Sequence, residues 1–205
     1  MGGKSTISVG LAVWLVWQWL ALAIAAARVP LSARYPAAGE QWGLVVMLVA
    51  QIAAASLLFQ ILLPNWIQLI VIIAVAWPMG LLSAFLADAN FRQWAWGEAA
   101  VSAWLLELFL LNRIGIPVDY LAAIVSLLTF GGPLAWYLHA DFIANASDID
   151  WHSADWLGPI MAIAAGINDG GINGAGERAG IFFFAAFAIA CAGFFILKKT
   201  FLQRT

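Results

Sequence analysis

Glu107 interrupts the apolar run 94–111 near its middle and carries the strongest chemical expectation in the sequence. A carboxylate at mid-bilayer costs about 2.5–3.5 kcal/mol on insertion scales, so it calls for either a function or a partner. The functional expectation is a proton or ion relay, or a contact to a ligand. The packing alternative is an interhelical hydrogen bond to Gln51, Gln60 or Gln68. Glu98 precedes it by nine residues, on the opposite side of a helix and next to Trp94 and Trp96, whose indoles favour the membrane interface. The two carboxylates are not expected to act as a pair.

A second set of candidate ligands lies in the stretch 140–179. Asp148, Asp150, His152 and Asp155 follow one another at a spacing that can wrap a hard divalent cation. The glycine that gives an EF-hand loop its sharp turn is absent, so a solvated, hydrogen-bonded loop is the favoured reading and no particular metal is implied. His139 and His152 are the only histidines and stand close together in the chain, whereas axial haem ligands come from facing helices. The glycine-rich stretch 168–176 lacks the lysine and Ser/Thr of a phosphate-binding loop. No Gly-x-Ser-x-Gly elbow, His-Glu-x-x-His pair or Ser/Lys dyad is present. An enzyme is therefore the least favoured class, and the sequence implies no cofactor.

Two apolar runs contain helix-disturbing residues at corresponding places. Pro78 and Gly80 fall in the third run, and Gly131, Gly132 and Pro133 in the fifth. The segments 64–88 and 117–141 align without a gap, each opening on proline and closing on Ala-Asp. Interrupted helices at matching positions are a pointer to the mid-membrane site of a transporter. Few positions agree, however, and ordinary proline kinks explain both equally simply.

The elements that hold these residues follow from composition. Of 205 residues, 64% are hydrophobic and 10% charged, and the mean hydropathy is +0.93, far from the mixture a soluble domain needs. Nine basic and eleven acidic residues leave a net charge of −2, so no basic stripe exists and nucleic acid is not an expected partner. Cys191 is the only cysteine, which excludes an internal disulfide framework. A span of about 30 Å requires roughly twenty apolar residues. On that measure the chain is an all-α, polytopic membrane helical bundle forming one domain. About six transmembrane helices are expected, at 8–27, 42–63, 65–87, 94–111, 118–139 and 180–197. The long loop 140–179 is expected to hold a short interfacial or re-entrant helix over 158–167, opened by Pro159. The first run is read as a retained span in place of a cleaved signal.

Lys198, Lys199 and Arg204 follow the last run and place it on the cytoplasmic side, so six spans put both termini in the cytoplasm, most simply of a bacterial inner membrane. Arg28, Arg34 and Arg92 then fall on the opposite side, against the rule. Twelve tryptophans are unusual, and Trp77 and Trp104 lie well inside their runs. They predict helix packing and lipid contact first, and an aromatic-lined surface for a flat hydrophobic ligand second. In size and helix count the chain resembles the substrate-binding subunits of energy-coupling-factor vitamin transporters and small accessory subunits of respiratory or photosynthetic complexes. That outline assigns a role to no residue. The expected function is thus a non-catalytic membrane subunit of a larger complex, with other membrane subunits and the lipid bilayer as partners. A transporter or channel for a small molecule or ion is second, and a membrane-embedded enzyme third.

Overall fold

The computed structural model describes residues 3–26, 42–62, 65–113, 117–142, 158–168, 178, 180–189 and 192–193. Among them the chain is helical apart from short turns, with no strand. The helices are α1 (Gly3–Ala26), α2 (Trp42–Leu62), α3 (Trp66–Leu86), α4 (Phe91–Arg113), α5 (Val118–Phe142), α6 (Pro159–Asn168) and α7 (Gly180–Ile189). The acidic candidates Asp148, Asp150, His152 and Asp155 lie outside the described residues.

Local chemistry sets the boundaries around the future site. Asn65 caps α3, its Oδ1 accepting from the Gln68 backbone N–H at 2.9 Å. The end of α3 is a Schellman turn in which Ala89 N donates to Ala84 O at 3.0 Å and Asp88 N to Phe85 O at 3.5 Å. Asp88 takes the left-handed conformation this turn requires, with φ 51°. Two residues later a reciprocal capping box starts α4. Gln93 N donates to Asn90 Oδ1 at 2.9 Å, and Asn90 N donates to Gln93 Oε1 at 3.0 Å. The box places the start of α4 at Phe91, three residues before the start expected from hydropathy alone, and its end at Arg113. An Asn90→Ala substitution removes the cap and is expected to lower stability by about 1 kcal/mol, read by thermal unfolding in detergent.

The expected interruptions do not end either helix. α3 continues through Pro78 and Gly80, and α5 through Gly131, Gly132 and Pro133. Proline removes one ladder donor, and the neighbouring turns keep the helix intact when other helices pack around it. The short helix expected after residue 158 is present as α6. Gly158, with φ 147°, lets the chain enter it where a Cβ would come within 2.5 Å of Leu128 O.

Four helices, α1 to α4, are long and apolar enough to cross a membrane. They account for four of the six expected spans. The apolar stretch Asp119–Ala135 of α5 and α7 as described are shorter than a bilayer core requires. α2 packs on α1, α3, α4, α5 and α6, and α4 is the helix that carries both buried carboxylates. It packs on α2, α3 and α6, and Gly97 admits Leu48 of α2 where a Cβ would collide with it. α7 joins the same core through Phe183 and Phe187 against Trp104. The bundle has an apolar core with several polar side chains inside it and large apolar ones on its surface. Gln18, Gln51, Ser83, Glu98 and Thr129 are wholly buried or nearly so, whereas Val16, Trp19, Ile67 and Phe85 point outward. Polar groups inside and large apolar groups outside suit a hydrocarbon surrounding.

Candidate functional site

Three of the inward polar groups converge on one another. α1 contributes Gln18, α2 contributes Gln51 and α4 contributes Glu98, and none of the three side chains has any solvent exposure. Gln51 Nε2 donates to Gln18 Oε1 at 3.0 Å and to Glu98 Oε1 at 3.4 Å. The carbonyl of Ala76 on α3 lies 3.5 Å from the same nitrogen. Four helices therefore meet around one amide. Gln51 adjoins Ile52, the midpoint of α2, and Ala76 is the midpoint of α3. Glu98 stands four residues from Ser102, the midpoint of α4, about 6 Å along the axis.

The cluster is not saturated. Gln18 Nε2, Gln51 Oε1 and Glu98 Oε2 are buried without a hydrogen-bond partner. Each belongs to the same amide or carboxyl group as an atom that is bonded, so all three border the network they leave incomplete. A buried polar atom without a partner costs about 1–3 kcal/mol, and native structures keep few of them. Three in one cluster define a place with a donor and two acceptor positions to offer. Its groups are two amides and one carboxyl, able to donate and accept hydrogen bonds.

The backbone of α3 sets the shape of this place. The Glu98 carboxyl lies directly against Gly80, and a Cβ there would overlap Oε1. Only glycine lets the carboxyl reach the helix surface at this point. The surrounding hydrogen bonds hold α3 and α4 in register. Trp77 Nε1 donates to Ser102 Oγ at 3.0 Å, and Ser102 Oγ donates to the Glu98 carbonyl at 2.7 Å. Trp17 Nε1 on α1 donates to Ala50 O on α2 at 2.8 Å, one residue before Gln51. A separate polar knot ties α2, α4 and α5. Trp104 Nε1 donates to Ser56 Oγ at 2.9 Å, and the Ser56 and Thr129 hydroxyls lie 2.8 Å apart.

The sequence candidates distribute unevenly over this geometry. Glu107 is buried, with Oε2 unpartnered, but it belongs to the other half of α4 and is not in the cluster. None of its expected glutamine partners is bonded to it. Gln51 serves Gln18 and Glu98, Gln68 Nε2 donates to Ile61 O at 3.4 Å, and Gln60 is exposed. Glu98, placed by sequence near the aromatic belt, is buried in the bundle interior. Neighbouring helices cover both faces of α4, so carboxylates on opposite sides are both buried. Pro78 and Gly80 flank the cluster on α3, whereas Gly131, Gly132 and Pro133 on α5 are not part of it. Trp77 and Trp104 have their indole N–H groups satisfied, and Trp104 is enclosed by Phe183 and Phe187. Their role in the bundle is packing. The residues that sequence reasoning missed are Gln18 and Glu98. The available signal was that Gln18, Gln51 and Gly80 all fall near the middle of their runs.

Fold and site together define a class: among the described residues, a helical bundle with four helices long and apolar enough to cross a membrane, enclosing an incompletely bonded polar cluster near the middle of those helices. The chain matches no protein-family model, no curated protein and no solved structure.

Proposed function

We propose that this chain is a multi-pass integral membrane protein that binds a small polar solute or ion at mid-depth and passes it across the bilayer, as a transporter or channel. The observation that carries the reading is the Gln18–Gln51–Glu98 cluster with its three unpartnered atoms. Polar and ionisable groups inside a membrane bundle are costly, and they mark solute and ion pathways when they face its interior. In this proposal the apolar runs 118–139 and 180–197 complete six spans. Lys198, Lys199 and Arg204 set both termini in the cytoplasm of a bacterial inner membrane.

The test is flux into proteoliposomes made with the purified full chain, using a panel of small ions and neutral hydrogen-bonding solutes. Wild-type protein is expected to move at least one of them, and Gln51→Leu to abolish that movement at equal reconstitution. No difference between protein-containing and protein-free liposomes across the panel would sink the proposal.

A second reading is a non-catalytic subunit of a larger membrane complex. It is favoured by the outward aromatic residues Trp19 on α1 and Trp66 and Phe85 on α3, faces that accept partner helices as readily as lipid. Gentle extraction from the host membrane followed by native electrophoresis distinguishes the two. A stoichiometric assembly with other proteins supports the subunit, and a lone chain or homo-oligomer removes it.

A further inference from the structure

We infer that the Gln18–Gln51–Glu98 cluster takes a small monovalent cation, a proton or an alkali-metal ion, as the counter-charge of Glu98. The inference rests on the reading of this cluster as a solute site and specifies what it binds.

Charge is the first argument. The groups in contact with the Glu98 carboxyl are neutral, the Gln51 amide from α2 and the backbone of Gly80 from α3, and the Gln51 amide is in turn bonded to Gln18 of α1 and lies near Ala76 O of α3. On α4 itself, Ser102 bonds the Glu98 carbonyl, and the nearest other ionisable groups are Arg92, which is exposed, and Glu107, nine residues away. No cationic side chain among the described residues is paired with Glu98. An uncompensated charge inside a bundle costs several kcal/mol, and a paired one far less. A mobile cation supplies the pairing that no side chain provides.

Valence and ligand hardness follow from the same groups. One carboxylate among neutral amides balances one positive charge, whereas a divalent ion would leave a net charge buried. The atoms on offer, Glu98 Oε2 and Gln51 Oε1, are hard oxygen donors, which suit a proton or an alkali-metal ion better than a soft metal. Gln18 Nε2 is a donor and matches a lone pair of a water that the ion retains.

The test is thermal unfolding of the full-length protein in detergent at constant ionic strength. Sodium, potassium or a bulky organic ammonium serves as the cation, over a range of pH. If the ligand is an alkali-metal ion, sodium or potassium raises Tm by several degrees with saturation relative to the organic cation. Glu98→Gln then abolishes the rise and Glu107→Gln preserves it. If the ligand is a proton, Tm is indifferent to the cation but depends on pH in a way that Glu98→Gln removes. Should Glu98→Gln fail to fold, Glu98→Asp supplies the readout. It retracts the carboxylate by one methylene and is expected to raise the half-saturating cation concentration, or to displace the pH midpoint by the equivalent amount, about tenfold or more. Identical cation and pH responses in wild type and the position-98 variants would overturn the inference. Persistent solute flux alongside that result would overturn the cation assignment while leaving transport standing, and loss of both would remove both.

Discussion

Replacing Gln51 with leucine is expected to destabilise the protein by about 2–5 kcal/mol, because one amide is the hub for three helices. Its Nε2 is the hydrogen-bond donor to both Gln18 Oε1 and Glu98 Oε1, and it approaches Ala76 O. Leucine nearly preserves the volume but leaves two further buried oxygens unbonded, each at about 1–3 kcal/mol, in a cluster that already holds three unpartnered atoms. The measurement is unfolding in mixed detergent, and its sharpest form is a double-mutant cycle. Gln18→Leu alone is expected to cost less than Gln51→Leu, since it removes only the outer member of the network. The double variant should cost less than the sum of the two, because leucine at both positions leaves neither amide stranded. Simultaneous Gln18→Leu, Gln51→Leu and Glu98→Met should recover much of the lost stability, as apolar replacement of a whole buried polar set often does. A strictly additive cycle would mean that Gln18 and Gln51 do not interact in the protein. Recovered stability without recovered flux would separate a binding role from a packing one.

The helices were legible in the sequence because length and apolarity decide them. α2 and α3 fall within one residue or so of the runs expected, and the short helix after Pro159 is where its proline placed it. The start of α4 was misjudged because Phe91 and Arg92 read as connection by hydropathy. The Asn90-x-x-Gln93 box that nucleates the helix is a hydrogen-bonding signal and has no hydropathy of its own. The boundary error did not decide the site, because Glu98 and Glu107 stand at nearly equal distances from the helix midpoint with either start. The partnership of Gln18, Gln51 and Glu98 was not legible at all, since their neighbourhood depends on how α1, α2 and α4 rotate about their axes. In a uniformly apolar helix no stripe records that rotation. The depth of each glutamine could be read, and depth was the usable clue.

Gly80→Ala is the smallest substitution expected to have a large effect. A Cβ at this position would overlap Glu98 Oε1, so either the carboxyl rotates away from α3 or the α3–α4 contact opens. Overpacking of this kind costs about 1–3 kcal/mol, which matches or exceeds the ordinary benefit of alanine over glycine in a helix, about 1 kcal/mol. The sign of the measured change therefore reports whether the close contact exists. Destabilisation is expected in the wild-type background, together with loss of solute flux, because the displaced carboxyl takes Oε1 away from Gln51 Nε2. In a Glu98→Ala background the clash is absent, and Gly80→Ala should become neutral or stabilising. That reversal distinguishes the contact from a requirement for glycine flexibility beside Pro78. If flexibility were the reason for Gly80, alanine would be equally harmful with or without the Glu98 side chain, and the two substitutions would be additive. If the contact is the reason, they are coupled by about the full overpacking cost, which makes Gly80 a residue that shapes the site by having no side chain.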